Sequence, residues 1–350
     1  MVKGYIEGYY GALLNWSERM KVLDKLSELD LNTYLYSPKE DPYHRREWSI
    51  PYPQEELKEF RNFVRHANTR NINFIFGISP GLDEEEIDFN LLKDKLLTFH
   101  DLGVSNFCIL FDDLDHEASD GLAIKHANII NQSREILSDC KFYVVPQVYS
   151  DQLSQTPVLE NQYLDRFFKN LEEDFTFFWT GDKVVSRKYD IDKLSLLQRR
   201  FGQDMIIWDN FYASDYCEPR VTIDTFSPFT KQLKINDHLG GIMINATGKI
   251  YLDLMTLELY SLGIENQAID LQAFLNTYFP SELIDLMHYF RFDGKILDSE
   301  KDLANINHVL WNFSSQLKNE IYPYLHILRF MLSNNDLDNE QLKKRLRLNL

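Results

Sequence analysis

The sequence predicts an α/β fold: a (β/α)8 barrel, or TIM barrel, followed by an all-helical C-terminal domain. Eight short apolar runs, each followed by a segment with helical periodicity, begin about 28 to 42 residues apart. Eight such units within about 245 residues match the usual size of this barrel. Beyond residue 249 the helical periodicity continues and strand-like runs cease. We therefore expect a barrel domain at residues 1–262 and a helical domain, packed on the barrel, at residues 263–350.

Ordinary boundary signals mark the predicted barrel elements in order. Ser17 is suited to cap the first helix, and Pro53 to open the second. Gly103 and Gly202 are suited to end the third and sixth helices. The predicted strands are residues 4–8, 32–37, 74–79, 105–112, 141–149, 174–181, 204–210 and 240–245.

The tail reads as a series of helices. Pro323 separates two of them, because proline interrupts a helix interior. The last predicted helix, residues 342–347, is basic and amphipathic, which is typical of a solvated helix end. The other tail helices are predicted at residues 268–279, 283–290, 303–317 and 324–332.

Composition excludes several function classes. The chain has 350 residues, with 37 basic and 54 acidic residues, so its net charge is −17. Such an acidic chain repels a phosphate backbone, so we expect no nucleic-acid partner. The three cysteines are odd in number and form no Cys-x-x-Cys pair, which indicates a reduced interior and no zinc site. The sequence shows no signal-peptide pattern and no apolar run of membrane-spanning length, so we expect a cytoplasmic protein without a membrane partner.

Two adjacent carboxylates end the most apolar run of the chain. Residues 107–111 form a buried strand, and Asp112 and Asp113 follow directly. The carboxyl ends of barrel strands carry the chemistry of this fold. Two neighbouring acids that are partly buried together resist double ionisation, so one can donate a proton while the other stays anionic. The pair therefore predicts acid–base chemistry.

The spacing of the pair favours one glycosidase mechanism. A retaining enzyme with a protein nucleophile places its carboxyl groups about 5–5.5 Å apart, on either side of the scissile bond. Adjacent residues flank a substrate poorly in that way. They are better suited to substrate-assisted hydrolysis, in which a 2-acetamido group of the sugar is the nucleophile.

The other predicted strands also end in polar or aromatic residues. In a barrel these ends meet on one face and would surround a pocket. Carboxylates, amides, a lysine and aromatic rings can together hydrogen-bond sugar hydroxyls and stack on a pyranose. The strand-end residues are Glu7, Lys39, Ser79, Tyr149, Trp179, Asn210 and Asn245.

A metal site is the competing interpretation of the central motif. Carboxylates and an imidazole at residues 112–117 could hold a hard cation. Their spacing matches no familiar metal motif, so we predict no metal and no other cofactor. The potential ligands are Asp112, Asp113, Asp115, His116 and Glu117.

Six motifs, in the same order along the barrel, resemble those of glycoside hydrolase family 84. This family comprises protein O-GlcNAcases and bacterial β-N-acetylglucosaminidases, some of them known as hyaluronidases. The resemblance implies metal-free, retaining, oxazoline-forming hydrolysis of terminal β-linked N-acetylglucosamine, including its removal from Ser or Thr of proteins. The motifs are EGYYG at 7–11, YSPKEDPYHR at 36–45, GISPG at 77–81, LFDD at 110–113, WTG at 179–181, and WDN at 208–210 with Asp215.

The resemblance also implies roles for single residues. Asp112 would hold and polarise the acetamido N–H, and Asp113 would protonate the leaving oxygen and then deprotonate the attacking water. Two departures stand out: the fifth strand ends in PQVYS where the family more often has Pro-Thr-x-Tyr, and residues 246–247 lack an expected proline. The implied sugar contacts are Gly8 and Lys39 to hydroxyls, Tyr149 over the acetamido group, Trp208 and Asn210 around it, and Asp215 and Asn245 to the far hydroxyls.

Two alternatives stay open at this point. The same chemistry could act on glycans or cell-wall fragments, as a hexosaminidase or hyaluronidase-type activity. A non-catalytic N-acetylglucosamine-binding barrel is the second, although such a protein has no use for both Asp112 and Asp113. The partner expected in each case is β-linked N-acetylglucosamine on protein or glycan. A homodimer through the helical tail is an open expectation, beside a tail that packs only on its own barrel.

Overall fold

Eight parallel strands close into a barrel in this computed structural model, which describes residues 1–82, 86–172, 175–215, 219–229, 239–265, 267–294 and 300–333. Each strand pairs with the next, and β8 closes on β1 with Val2 opposite Gly241. The predicted barrel is therefore confirmed. The strands are β1 (Val2–Glu7), β2 (Thr33–Tyr36), β3 (Asn73–Ile78), β4 (Asn106–Leu110), β5 (Lys141–Val145), β6 (Thr176–Trp179), β7 (Asp204–Asp209) and β8 (Gly241–Asn245).

The chain divides into two compact units. Residues 1–210 with 229–248 form the first, and residues 211–228 with the chain from 249 onward form the second. The division predicted from sequence, at residue 262, remains a prediction. The first unit contains α1 (Trp16–Glu28), α2 (Gln54–Thr69), α3 (Phe89–Asp101), α4 (Asp120–Ile136), α5 (Gln162–Lys169) and α6 (Ile191–Phe201).

Side chains of alternate strand residues fill the barrel interior. Cys108 and Leu110 of β4 both belong to this interior cluster and are fully buried. Because successive strand side chains point to opposite faces, the next inward position along this strand is Asp112. The other members are Ile6, Leu35, Ile75, Tyr143, Val145, Phe178, Ile206, Trp208 and Met243.

Seven of the eight strands end earlier than predicted, most by one residue, β4 and β6 by two and β5 by four. β4 stops at Leu110 rather than residue 112, and the chain turns at Asp112 and Asp113. β5 stops at Val145 rather than residue 149. Pro146 follows directly, and proline cannot donate the hydrogen bond that would continue the ladder.

Helix boundaries confirm most of the predicted signals. α2 begins directly after Pro53, and Gly103 and Gly202 adopt left-handed conformations after α3 and α6. The prediction for Ser17 is wrong. Asn15 caps α1 instead, in a capping box in which its side chain accepts the Glu18 N–H while Glu18 accepts the Asn15 N–H.

The described part of the second unit contains helices and no strand. One helix passes through Pro323, so the predicted break there is wrong; the chain gives up one intrahelical hydrogen bond instead. The predicted basic helix at residues 342–347 lies outside the described residues. None of the described helices combines the length and apolarity required to span a bilayer. The helices are α7 (Ile250–Ile264), α8 (Leu271–Leu275), α9 (Ser281–Ile284), α10 (Glu300–Asn312) and α11 (Gln316–Ser333).

Candidate active site

The two central carboxylates lie on a turn at the end of β4, in different surroundings. Asp112 is buried, with 6% of its surface exposed, whereas Asp113 is exposed. Asp113 has a φ of 52°, in the left-handed region. Because this turn breaks the alternation of a strand, neighbouring side chains need not point to opposite sides. Both carboxylates are close to Tyr149, whose pKa is raised by burial, then by Asp113 and then by Asp112.

Asp112 has one engaged oxygen and one open oxygen. Its Oδ2 contacts the ammonium of Lys39, which lies on the loop after β2 and is itself buried. Its Oδ1 is buried, and no described residue hydrogen-bonds it. A buried acceptor without a partner is costly, so its presence calls for an explanation.

Asp113 accepts a hydrogen bond at each oxygen. The Tyr10 hydroxyl donates to Oδ2 at 2.9 Å, and the Tyr149 hydroxyl donates to Oδ1 at 2.7 Å. Burial, followed by the Asp113 carboxylate, raises the pKa of both tyrosines. Both hydroxyls therefore remain protonated donors at neutral pH.

Arg45 holds the turn and one of the tyrosines. Its Nη2 donates to the backbone carbonyl of Asp113 at 3.1 Å, and its Nη1 donates to the Tyr10 hydroxyl at 2.7 Å. Neither Arg45 nor Tyr10 is among the site residues predicted from the sequence. Their positions in the motifs after β1 and β2 are the sequence feature that could have identified them as site residues.

The tip of β5 is anchored on both sides of Tyr149. The Tyr149 carbonyl accepts the Thr180 N–H at 2.9 Å, which links it to the end of β6. Two residues earlier, the Gln147 N–H donates to the Tyr163 hydroxyl at 3.1 Å. Thr180 and Tyr163 thus fix the backbone from which the Tyr149 ring extends.

A neutral histidine completes this support. The Tyr163 hydroxyl lies 2.9 Å from Nδ1 of His126 on α4. Burial lowers the pKa of His126 to about 3, so the ring is neutral and can accept this bond. His126 also stacks on Phe111, with ring centroids 3.8 Å apart. The same contacts therefore support the ends of both β4 and β5.

An indole and two amides form a connected wall at the ends of β1, β7 and β8. The Trp208 ring lies against Gly8, where a Cβ atom would come within 2.4 Å of Cζ2. Asn210 Oδ1 accepts from Trp208 Nε1 at 3.1 Å and from Asn245 Nδ2 at 2.9 Å. Asn245 Oδ1 accepts the Gly8 N–H at 3.1 Å. The structure brings these four predicted site residues together, with both amides engaged in protein hydrogen bonds.

One strand-end carboxylate, Glu7, lies outside the pocket. Glu7 follows the inward-facing Ile6 and points to the outer surface of the barrel, where it pairs with Arg19 of α1 at 2.8 Å. It does not face the pocket, contrary to the expectation that all strand-end residues surround it. Asp215 belongs to the second unit, and its contact with a sugar hydroxyl remains a prediction.

The metal alternative gains no support from the described residues. Within the described ranges, three potential ligand atoms come within 4.8 Å of one another only at His100, Asp139 and Cys140, away from the central motif. The set at residues 112–117 does not gather in this way.

Comparison with known proteins gives a consistent result. A family model described as β-N-acetylglucosaminidase matches residues 3–268. Protein O-GlcNAcases from Rattus norvegicus and Mus musculus are each 29% identical over 253 residues, which is 69% of this chain and 27% of theirs. The chain thus matches little more than a quarter of those relatives. A solved structure described as "Structure of CpGH84B" aligns with a TM-score of 0.73 at 22% identity, over 99% of this chain and 65% of that one, which supports the fold.

Proposed function

This chain belongs to glycoside hydrolase family 84, the β-N-acetylglucosaminidase family, and on that premise we propose that it is a retaining exo-β-N-acetylglucosaminidase with substrate-assisted catalysis. We extend the proposal to removal of N-acetylglucosamine from Ser or Thr of proteins. One observation carries it: Asp112 is buried with an open acceptor, while its neighbour Asp113 is exposed and held by two hydroxyls.

Asp112 is suited to the acetamido group. Its open Oδ1 can accept the acetamido N–H, which gives that buried oxygen a partner. Accepting this bond raises electron density on the acetamido carbonyl oxygen, which attacks the anomeric carbon. The ring that forms is positively charged, and a fixed carboxylate stabilises it in a site shielded from water.

Asp113 is suited to proton transfer at the leaving oxygen. In its protonated form it gives a proton to that oxygen, and as a carboxylate it takes one from the attacking water. Tyr10 and Tyr149 hold its two oxygens in place between these steps. Each Asp113 oxygen accepts one bond from these hydroxyls and keeps a second lone pair for a substrate oxygen or water.

The remaining predicted contacts surround the sugar in this proposal. Trp208 and Asn210 would wall the acetamido group, and Tyr149 would lie over it. Gly8, Lys39, Asp215 and Asn245 would contact hydroxyls. In this proposal, residues 1–262 carry the catalytic role and residues 263–350 form a helical domain.

The test is hydrolysis of an aryl β-N-acetylglucosaminide beside the matching β-glucoside. We expect turnover of the first and none of the second, because only the first carries the internal nucleophile. Turnover of both would assign the nucleophile to a protein carboxylate and overturn the mechanism. Binding of N-acetylglucosamine without turnover of either compound would favour a non-catalytic sugar-binding barrel.

A further inference from the structure

A cavity of about 620 Å³ opens beside the proposed proton donor. Asp113 and Tyr149 line one end, and the rest lies between the loop after β4 and the segment that leads from β5 into α5. Polar and apolar side chains are mixed along it, including Leu114, Ser119, Leu153, Thr156 and Asn161.

The cavity lies on the leaving-group side of the reaction. Of the residues that the proposed function assigns to sugar contacts, only Tyr149 lines the cavity, whereas Lys39, Asp112 and Trp208 do not. A general acid contacts the oxygen that joins the sugar to the leaving group. Whatever is attached to that oxygen therefore extends from Asp113 into this cavity.

The lining is acidic. Besides Asp113 it contains Glu117, Asp120 and Glu160, and no lysine, arginine or histidine. Asp120 is paired with Arg166, at 3.3 Å between Nε and Oδ2. Glu117 and Glu160 are exposed, and neither has an ion-pair partner among the described residues. Glu117 and Glu160 thus present negative charge to the cavity, with no described cation paired to either.

A buried amide oxygen adds a further acceptor. Gln147 lines the cavity, and its Nε2 donates to the carbonyl of His116. Its Oε1 is a buried atom that no described residue hydrogen-bonds. Carboxylates and this carbonyl oxygen together favour a leaving group rich in N–H donors and positive charge.

We propose that this cavity is the aglycone site and that it selects basic peptide segments, with Lys or Arg close to the glycosylated Ser or Thr, over anionic aglycones. The inference rests on the proposed function and narrows its substrate class. Glycans whose next residue carries a carboxylate, such as a uronic acid, would place like charge beside Glu117 and Glu160. The hyaluronidase-type alternative is disfavoured for this reason.

The experiment compares three N-acetylglucosaminyl-serine peptides that differ only in having Lys, Gln or Glu beside the serine. An uncharged aryl β-N-acetylglucosaminide is run in parallel. We expect kcat/KM to fall in the order Lys, Gln, Glu, with about 10-fold between the extremes at about 0.01 M salt. The difference should shrink at about 1 M salt, where the Debye length is about 3 Å.

Variants test whether Glu117 and Glu160 cause the preference for the Lys peptide. Glu117→Gln combined with Glu160→Gln should reduce the Lys-to-Glu ratio to about 2-fold. Glu135→Gln, near the opposite end of α4 and exposed, is the matched control and should leave the ratio unchanged. Equal kcat/KM for the three peptides would overturn the inference, and so would a Lys-to-Glu ratio that is unchanged in the double variant. In either case, hydrolysis of the aryl β-N-acetylglucosaminide would still support the proposed function. Absence of aryl hydrolysis would instead overturn the proposed function, and with it this inference.

Discussion

Two buried carboxylates in the same barrel, Glu7 and Asp112, are used in opposite ways. Glu7 accepts from Arg19 Nε at 3.1 and 3.0 Å, from Arg19 Nη2 at 2.8 Å and from the Tyr34 hydroxyl at 2.5 Å, so both of its oxygens are engaged. Asp112 has a cation on one oxygen and no described partner on the other. A saturated carboxylate stabilises the fold, whereas one with an open acceptor is available to a ligand.

Position along the strand explains the difference. Glu7 points outward from β1 toward α1, where an arginine sandwiched against Trp16 and Tyr36 can neutralise it. Asp112 is the inward position after Cys108 and Leu110, where the interior side chains end. The same chemical group therefore becomes structural or ligand-binding according to the face it occupies.

The largest effect is expected at the exposed neighbour of Asp112. Asp113→Asn should lower kcat/KM by about 10²- to 10⁴-fold for a poor leaving group such as an alkyl or seryl oxygen. The loss for an activated phenol should be much smaller, because that oxygen leaves without a proton. Equal losses for both leaving groups would contradict the proton-transfer role of Asp113.

Asp112→Asn tests the open acceptor itself. We expect kcat/KM to fall by about 10²- to 10³-fold for good and poor leaving groups alike, because the internal nucleophile and its positive product are no longer stabilised. The free energy of unfolding should fall as well, because the buried Lys39 ammonium loses its partner, so kcat/KM is measured on the folded protein under stabilising conditions. A variant that unfolds readily but keeps its activity would place Asp112 in the same class as Glu7.

Glu7→Gln should show the converse pattern. Removing one partner of a buried ion pair leaves the Arg19 guanidinium uncompensated, so the free energy of unfolding should fall by about 3–5 kcal/mol. The kcat of the folded fraction should be retained. Urea unfolding together with activity measured under stabilising conditions separates the two quantities, and a loss of kcat at unchanged stability would break the comparison.

The smallest effect is expected from substitution of Glu320 in the second unit. Glu320 adds a third carboxylate to the comparison of Glu7 with Asp112. Its oxygens accept the N–H groups of Tyr251 at 3.0 Å and Leu252 at 2.8 Å, rather than a guanidinium. Burial raises its pKa to about 7. The folded state therefore holds this proton where the unfolded state, with a pKa of about 4.3, has lost it.

Protonation of Glu320 makes its full contribution to the free energy of unfolding below about pH 4.3. This contribution is lost as the pH rises through about 7. We expect Tm to fall between about pH 5 and pH 8, and to fall less in Glu320→Gln than in the unchanged protein. Glu135→Gln, at an exposed position on α4 of the first unit, serves as the control. Parallel pH profiles for all three proteins would show that burial of Glu320 does not couple its protonation to folding.

Much of the barrel could be predicted because local patterns determine it. The apolar run before Asp112 fixes a buried strand, and Gly103 fits a left-handed turn that other residues adopt only at a cost. The pairing of Asp112 with Lys39 could be anticipated only in that both residues follow strand ends on the same face of the barrel, at β4 and β2, which β3 separates. Which oxygen stays open depends on side-chain geometry that no spacing encodes.

The features of the site that could not be predicted depend on contacts between segments that are far apart in the sequence. Arg45 binds the carbonyl of Asp113, 68 residues away, and no pattern around either residue signals that bond. Glu7 ends a strand, which is why the pattern predicts it in the pocket, although alternation after Ile6 turns it outward. Asn210 and Asn245 are each expected from sequence to meet substrate, whereas their mutual hydrogen bond depends on the register between β7 and β8.

The left-handed backbone of Asp113 has an evolutionary consequence. Most residues with a side chain lose roughly 1–2 kcal/mol in that conformation, aspartate and asparagine adopt it more readily, and glycine adopts it freely. Substitution drift in a lineage that no longer cleaves sugars would therefore favour glycine here and would tolerate asparagine. On the proposed role, the carboxyl group at this position supplies the proton, so glycine or asparagine here in a related chain would mark that chain as a pseudoenzyme.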